Sequence, residues 1–252
     1  MSKKAEIRQS DIYSQILSNG EVKVVDLAKL YHVSMETIRT DLSTMENQGL
    51  IKKIHGGATL KESYSEVSVE YKMTENASDK QLIAKKALEY IQDGSTIFLD
   101  PGSTTLALAK YLPLKKDLLV ITNSLKIAQL VAETNHDLIF LGGKMLKKAK
   151  ATTGSFTNNH LDSLHIDICF MGCDGFMNMD GPTTFAFEEM EVKQHALRNS
   201  TKKYLLADTS KFHKTGTYKF ANFSDFDCIF TTFLNNYERR MVEDVQKIVM
   251  AL

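Results

Sequence analysis

The chain is short of the features that mark secreted, membrane-spanning or polyanion-coating proteins. It has three cysteines in 252 residues, an odd number that fits a reducing cytoplasm better than a disulfide framework. No apolar run is long enough to span a bilayer, and the first residues lack the apolar core of a signal peptide. The 31 basic and 31 acidic residues cancel, which argues against non-specific coating of a polyanion. We therefore expect a cytoplasmic protein with no membrane partner.

The cysteines also give little support to a metal site. Cys169 and Cys173 are separated by three residues, and no further cysteine or close histidine pair completes a set of ligands. We interpret both thiols, and that of Cys228, as buried structural groups. We therefore expect the protein to bind neither a metal ion nor a resident cofactor.

The most informative stretch lies between residues 20 and 58. Residues 24–31 have apolar side chains at helical spacing, and a second helical pattern begins directly after Ser34. Ser34 is a good N-cap, because its hydroxyl can accept a hydrogen bond from an amide of the first turn. Residues 50–58 then have the pattern of a short basic hairpin. Helix, turn, helix and hairpin in this order are typical of a winged helix-turn-helix, which predicts duplex DNA as a partner.

The second of these helices has two distinct faces. Ile38, Leu42 and Met45 recur at spacings of four and three, so they are predicted to face inward. The remaining side chains can form hydrogen bonds with bases or phosphates. The predicted DNA-binding residues are Ser34, Met35, Thr37, Arg39 and Thr40 in the helix, with Lys52, Lys53, His55 and Gly56 in the wing.

Some residues of this region have plainer interpretations. Asp41 is acidic on a DNA-facing helix, and we interpret it as a structural partner of a nearby basic group rather than a base reader. Lys52 and Lys53 taken alone also fit a solvated turn, and Gly56-Gly57 alone indicates only a turn. Their order behind a helix-turn-helix favours the wing.

The charge of this region bears on assembly. Residues 1–58 hold eight basic and seven acidic residues, an excess of one positive charge. Since affinity for DNA grows with the number of phosphates neutralised, one such domain is a weak binder. We expect a homo-oligomer, a dimer or tetramer, that presents paired domains to repeated half-sites. The candidate interface is either the larger C-terminal domain or a final helix, predicted between Tyr237 and Met250.

Residues 78–252 have the pattern of an α/β domain. Residues 59–77 are polar and are predicted to be a linker, and Ser78 with Gln81 is predicted to cap the helix that follows. Continuous apolar strands separated by helical stretches imply a mostly parallel sheet covered on both faces. Strands are predicted at residues 96–99, 118–121, 138–141, 166–171, 204–206 and 228–230.

Polar residues and glycines follow five of these strands. In a parallel sheet the loops after the strands share one edge, where open α/β sheets bind ligands. The loop of residues 102–105 opens a helix, and its amides and hydroxyls are suited to a phosphate. Each residue alone also fits a helix cap or a turn, but five loops together favour a site for a phosphorylated polyol. The predicted effector-binding residues are Asp100, Gly102, Ser103, Thr104, Thr105, Asn123, Gly143, Lys144, Asp174, Asp208 and Lys211.

The N-terminal motifs resemble a known family. The run Val33-Ser34-x-x-Thr37-Ile38-Arg39-x-Asp41-Leu42, followed by His55-Gly56-Gly57-Ala58, is similar to the signature of the DeoR family of bacterial transcription regulators. Thr40 stands where that family usually has a second basic residue, and Lys52-Lys53 where arginine is common.

The resemblance extends over nearly the whole chain. Asp100-x-Gly102-Ser103-Thr104-Thr105, Glu191-Val192-Lys193 and Asp208-x-Ser210-Lys211-Phe212 are similar to motifs of the DeoR effector domain. The resemblance implies a sensor domain similar in fold to ribose-5-phosphate isomerase and glucosamine-6-phosphate deaminase. It also adds Glu191 to the candidate effector-binding residues.

Three functions remain open at this point. The leading hypothesis is a ligand-responsive transcription repressor, not an enzyme, whose operator affinity is lowered by a phosphorylated sugar. The second is a sugar-phosphate isomerase or deaminase with an appended DNA-binding domain, in which Asp100, Glu191, Asp208 and Lys211 act as acid or base groups. The third is a DNA-binding protein with a degenerate sensor that responds to a partner protein.

Overall fold

The computed structural model describes residues 3–48, 50–60 and 69–251. The chain divides into two compact units, residues 1–75 and residues 76–252. Within its described residues, the first unit has four helices and a three-stranded antiparallel sheet in the order β1-β3-β2. Its elements are α1 (Lys3–Asn19), β1 (Glu21–Lys23), α2 (Val24–Leu30), α3 (Met35–Asn47), β2 (Ile51–Ile54), β3 (Gly57–Leu60) and α4 (Val69–Thr74).

The core of the first unit lies between its helices and sheet. Ile38, Leu42 and Met45 of α3 are buried, as their spacing predicts, and they pack with Ile12 and Ile16 of α1. Each fully buried aliphatic side chain contributes roughly 1.5–3 kcal/mol. The order of α2, α3 and the β2–β3 hairpin confirms the predicted winged helix-turn-helix.

The predicted linker, residues 59–77, is only partly a connection. β3 extends through Leu60, α4 occupies Val69–Thr74, and residues 61–68 lie outside the described part of the chain. The predicted capping box of Ser78 and Gln81 is wrong, because the next helix already begins at Ala77. Asn76 precedes it with a left-handed backbone (φ 49°), and its side chain bonds Asp208 instead of capping the helix.

The second unit alternates helices and strands as the sequence predicts. Its helices are α5 (Ala77–Leu88), α6 (Ser103–Ala109), α7 (Leu125–Val131), α8 (Ser155–Asp162), α9 (Phe187–Arg198) and α10 (Asn236–Met241). Its strands are β4 (Thr96–Leu99), β5 (Leu119–Thr122), β6 (Asp137–Phe140), β7 (Lys144–Leu146), β8 (Ala151–Thr153), β9 (Ile166–Met171), β10 (Thr183–Thr184), β11 (Ser200–Leu206), β12 (Tyr218–Lys219), β13 (Cys228–Thr231) and β14 (Ile248–Met250).

Seven of these strands form one parallel sheet in the order β14-β13-β11-β9-β4-β5-β6. After β4, the next two strands of the sheet, β5 and β6, lie in order on one side of β4. The chain then crosses back, and β9 pairs with β4 on its other side. The boundary between β4 and β9 is therefore the topological switch point, where open α/β sheets bind ligands. Two antiparallel pairs, β7–β8 and β10–β12, are added outside this sheet.

The end of the chain differs from the prediction. The expected helix from Tyr237 to Met250 stops at Met241, and residues 248–250 form β14 parallel to β13. Val245 and Val249 are buried within the second unit. The apolar spacing near the C-terminus fits a helix, but pairing with β13 and the core determine the structure, so the predicted interface helix does not exist in this form.

Candidate functional site

The predicted recognition helix is α3, and its outward face is polar. Ser34 caps it, since the Ser34 hydroxyl accepts a hydrogen bond from the Thr37 amide at 3.1 Å. The Arg39 and Glu36 side chains are exposed and form an ion pair of 3.2 Å. The hydroxyl of Thr40 donates to the Glu36 carbonyl at 3.0 Å, so it is held against its own helix. Met35 is also exposed at the start of the helix.

Asp41 has a structural partner, as the sequence predicts. It is buried on the inward side of α3, where its carboxylate accepts from Arg8 Nε at 2.6 Å and from Gln9 Nε2 at 2.9 Å. Both partners lie on α1. The ion pair therefore fixes α3 to α1 and sets the orientation of the recognition helix.

The wing is formed by β2, β3 and the turn between them. Lys52, Lys53, His55 and Gly56 are all exposed, and Gly56 supplies the positive φ (77°) of the turn. The two lysines differ in their contacts. The Lys53 ammonium donates to Ser43 Oγ at 2.9 Å, and the Lys53 amide donates to Glu46 Oε1 at 2.9 Å. Lys53 thus ties the wing to α3.

In the second unit, the loop after β4 forms the N-terminus of α6. Ser103, Thr104 and Thr105 are buried, and the Thr105 hydroxyl donates to the carbonyls of Asp100 (2.6 Å) and Gly102 (3.0 Å). These bonds fix the loop. Gly102 has an extended backbone (φ −177°), and a Cβ there would lie 3.1 Å from Thr105 Oγ1.

Asp100 is joined to the neighbouring strand β9 across the switch point. Its carboxylate accepts from the Gly172 amide at 3.0 Å and from the Lys193 ammonium, which also donates to the Gly172 carbonyl at 3.0 Å. Asp100 and Lys193 are both buried. Burial raises the pKa of the Asp100 carboxyl above its ordinary value, although Lys193 and the Gly172 amide act in the opposite direction.

Asp174 follows β9 and is buried. Its carboxylate accepts from the Phe185 amide at 3.0 Å and from the Thr184 hydroxyl at 3.3 Å. The Thr184 hydroxyl also lies 2.6 Å from Glu189 Oε2. Asp174 thus holds the strand that precedes α9, which is the helix that carries Lys193.

Asp208 follows β11 and is fully buried. Its Oδ1 accepts from Asn76 Nδ2 and from the Ser210 amide, both at 3.0 Å, and its Oδ2 lies 3.4 Å from Lys80 Nζ. Burial raises the pKa of Asp208, but the ammonium groups of Lys211 and Lys80 outweigh it and hold the pKa well below its usual range. Lys211 is buried in the 3-10 helix Thr209–His213.

The predicted residues on the far side of β4 lie apart from these charged pairs. Asn123 follows β5, and its Nδ2 donates to the Thr152 carbonyl at 2.8 Å, while its buried Oδ1 accepts no hydrogen bond from the described residues. Gly143 has φ 147°, and a Cβ there would collide with Thr157 Oγ1. Lys144 is exposed at the start of β7, 3.8 Å from Glu188.

Glu191 is half-buried on α9, and its carboxylate forms no hydrogen bond or ion pair with the described residues that follow the strands. Two residues outside the predicted set, Lys80 and Lys193, are central instead. Both are lysines on an apolar helical stripe: Lys80 precedes Ile83, Ala84 and Ala87 at helical spacing, and Lys193 precedes Ala196 and Leu197 in the same way. A lysine at a core position is the signal that would have found them.

The strand ends at the centre of the sheet therefore combine three buried carboxylates (Asp100, Asp174, Asp208) with three buried lysines (Lys80, Lys193, Lys211). Such an edge can bind a ligand that carries both an anion and hydroxyl groups. The nearest thiol, Cys173, is a poor nucleophile, because burial raises its pKa to about 12.

Residues 3–48, 50–60 and 69–251 contain no group of three His, Cys, Asp or Glu side chains placed to hold a metal ion. No helix among them has both the length and the apolarity needed to cross a membrane.

Family models match both units. Residues 8–64 match the DeoR-like helix-turn-helix domain, and residues 75–232 match the DeoR C-terminal sensor domain. Solved structures of ribose-5-phosphate isomerase align with about half of the chain. The enzyme from Methanocaldococcus jannaschii is 21% identical, covers 54% of each chain and gives a TM-score of 0.38, a similarity that carries nothing about activity.

Curated relatives cover almost the whole chain. The uncharacterized HTH-type transcriptional regulator FruR of Bacillus subtilis is 33% identical over 246 residues, or 95% of this chain and 98% of that protein. The HTH-type transcriptional regulator GolR of Listeria innocua is 34% identical and covers 89% of each chain. The lactose phosphotransferase system repressor of Staphylococcus epidermidis is 32% identical over 96% of this chain and 98% of its own length. The chain belongs to the DeoR family of DNA-binding transcription regulators.

Proposed function

We propose that the protein is a transcription repressor whose affinity for operator DNA is lowered when a phosphorylated sugar or related metabolite binds the second unit. The observation that carries the proposal is the switch point, where Asp100, the loop of residues 102–105 and Lys193 meet. Amides and hydroxyls of that loop suit a phosphate, and the neighbouring carboxylates suit sugar hydroxyls. A relative is named as a lactose phosphotransferase system repressor, which favours a repressor that responds to a sugar.

The proposed effector residues form two groups. The loop of residues 102–105 binds the phosphate, and Lys211 compensates its charge. The hydroxyls of the sugar are bound by acceptors at the ends of the strands. These acceptors are Asp100, Asn123, Asp174 and Asp208, with Gly143, Lys144 and Glu191 at the periphery.

An enzymatic role is the alternative. Two features favour sensing over turnover: the DNA-binding unit, and the engagement of Asp100 and Asp208 in buried pairs with lysines. Lys211 and Lys80 hold the pKa of Asp208 well below its usual range, so Asp208 is a weak base. The Asp100 carboxylate is occupied by the Lys193 ammonium. The protein is proposed to require no cofactor or metal.

The proposal includes a homo-oligomer, a dimer or tetramer. The first unit has nearly equal numbers of basic and acidic residues, so a single copy has little electrostatic affinity for DNA. Paired units on repeated half-sites raise the affinity by adding contacts. Sedimentation equilibrium at micromolar concentration tests this, and a monomer that still binds operator tightly would contradict it.

A thermal-shift screen of phosphorylated sugars tests the effector. A specific ligand at a hundred times its dissociation constant should add about 2.7 kcal/mol to the free energy of unfolding. The same compound should release operator DNA from the protein. Proton NMR of the incubated compound should show no conversion; steady conversion to an isomer or a deaminated product would favour the enzyme instead.

A further inference from the structure

The outward face of the recognition helix carries an unusual charge pair for a DNA-binding surface. α3 has four charged residues, and two of them are engaged elsewhere: Asp41 with Arg8, and Glu46 with the Lys53 amide. The other two, Glu36 and Arg39, are exposed and paired with one another at 3.2 Å. The helix therefore offers DNA one anion and one cation.

Helical geometry places Glu36 at the middle of this outward face. Successive residues are rotated by about 100°, so Glu36 lies about 160° around the axis from the fully buried Ile38. Its side chain is 77% exposed. Glu36 is also in the first turn, and the N-terminal residues of recognition helices are those that contact base edges. A helix that lies in the major groove by this face brings Glu36 to the bases.

The neighbouring hydroxyls do not compete for the same role. Thr40 Oγ1 donates to the Glu36 carbonyl at 3.0 Å, and Ser43 Oγ donates to the Arg39 carbonyl at 2.8 Å while it accepts from Lys53. Of the charged side chains of α3, those of Glu36 and Arg39 are exposed and pair with one another. These two groups are therefore well placed to discriminate between bases by charge-assisted hydrogen bonds, beside the predicted contacts of Met35 and Thr37.

A carboxylate in the major groove is repelled by the phosphates and loses its hydration, so it is tolerated only where a donor meets it. The donors that base edges present there are the amino groups of cytosine (N4) and adenine (N6). Glutamate is suited to the cytosine amino group, and arginine to the O6 and N7 acceptors of guanine. A glutamate–arginine pair thus matches the two edges that G·C pairs present.

We propose that Glu36 is a specificity-determining residue that accepts a hydrogen bond from a cytosine amino group in the operator, while Arg39 contacts guanine. The inference rests on DNA binding by the family and on the ion pair between two exposed side chains. It is independent of the identity of the effector. It also explains how a helix with Thr40 in place of a second basic residue can still select its site.

Binding-site selection from a random duplex library tests the proposal with the full-length parent, Glu36→Gln, Glu36→Ala and Arg39→Ala. Glu36→Ala should lose a cytosine preference of about 5- to 150-fold at one position of each half-site. Glu36→Gln should exchange cytosine for adenine there, because glutamine pairs with adenine N6 and N7. Arg39→Ala should lose a guanine. Glu21→Gln, which neutralises an exposed acid on β1, is the matched control and should keep the parent motif.

Two results would overturn the proposal. One is a motif unchanged at every position in both Glu36 variants. The other is a combination of two outcomes: Glu36→Gln selects the same motif as the parent, and Glu36→Ala selects the same motif as Arg39→Ala. That second result would mean that Glu36 only holds Arg39 in place. If the parent enriched no motif at all, sequence-specific binding itself would be refuted, and the inference with it.

Discussion

The two units of the chain place their functional residues in opposite environments. In the DNA-binding unit, the side chains predicted to contact DNA, such as Arg39 and Lys52, are exposed, and the core lies behind them. In the sensor unit, most of the residues proposed to bind the effector are buried, and Asp100 and Asp208 are paired with buried lysines. Substitutions on the DNA-binding surface should therefore leave the stability of the first unit unchanged. Substitutions at the effector site should destabilise the second unit, because that site is part of its core.

This difference follows from what each unit must recognise. DNA is large and charged, so the protein meets it with an exposed face whose charges are solvated in the free state. A small metabolite must be surrounded, and the groups that bind it must be held in place before it arrives. Buried charged pairs hold them, but each pair makes stability depend on both partners.

Lys193→Ala is expected to have the largest effect. It leaves the buried Asp100 carboxylate without its ammonium partner, and the removal of one member of a buried ion pair typically costs about 3–5 kcal/mol. Calorimetry should show the transition of the second unit at lower temperature. Lys144→Ala, at an exposed lysine of the same unit, should change stability by less than about 0.5 kcal/mol. Equal stability of Lys193→Ala and the parent would mean that this pair is not part of the core.

Arg39→Ala should separate binding from folding in the other unit. The loss of one base contact should weaken specific operator binding by about 1–3 kcal/mol. Because the side chain is 56% exposed, the unfolding temperature should be unchanged. Fluorescence anisotropy with labelled operator measures the first quantity and calorimetry the second. Parent-like affinity would show that α3 is not the recognition helix.

The wing lysines should give the smallest effect. If both contact phosphate, their joint replacement by alanine should flatten the dependence of log affinity on log salt by about two contacts. The structure distinguishes them, since the Lys53 ammonium is bound to Ser43 and the Lys53 amide to Glu46. Lys52→Ala should lower the slope by about one contact with no other change. Should the slope stay the same in the double variant, the pair is a solvated turn.

The two units also differ in how far their sequences predicted them. The recognition helix is defined by local signals, an N-cap at Ser34 and an apolar stripe, and both are confirmed. The central strands are equally visible, because each is a continuous apolar run followed by polar residues. Because the strands are parallel, the polar loops that follow them must lie at the same edge of the sheet, and this could be predicted without any distant contact.

What the sequence did not reveal depends on contacts distant along the chain. Asp100 pairs with a lysine that lies 93 residues later in the chain, and Asp208 pairs with Lys80, which lies 128 residues earlier. No local sequence pattern joins either aspartate to its lysine. β14 was mistaken for a helix because Met241, Val245 and Ile248 have helical spacing, and only its pairing with β13 makes residues 248–250 a strand. The short hairpin of β7 and β8 was missed for the same reason.

We propose that effector binding at the strand ends of the second unit controls DNA binding by the first unit. The most direct test is the release of labelled operator on titration with the phosphorylated sugar that gives the largest thermal shift, for the parent and Gly102→Asp. The new carboxylate would lie where the phosphate is proposed to bind. The extended backbone at Gly102 is one that any residue adopts, and the added Cβ would lie 3.1 Å from Thr105 Oγ1. Without the sugar, the parent and the variant should have equal affinity for the operator. With it, affinity should fall about 5- to 150-fold in the parent and not at all in the variant. Release of operator from Gly102→Asp at the parent's sugar concentration would show that the effector binds elsewhere on the protein.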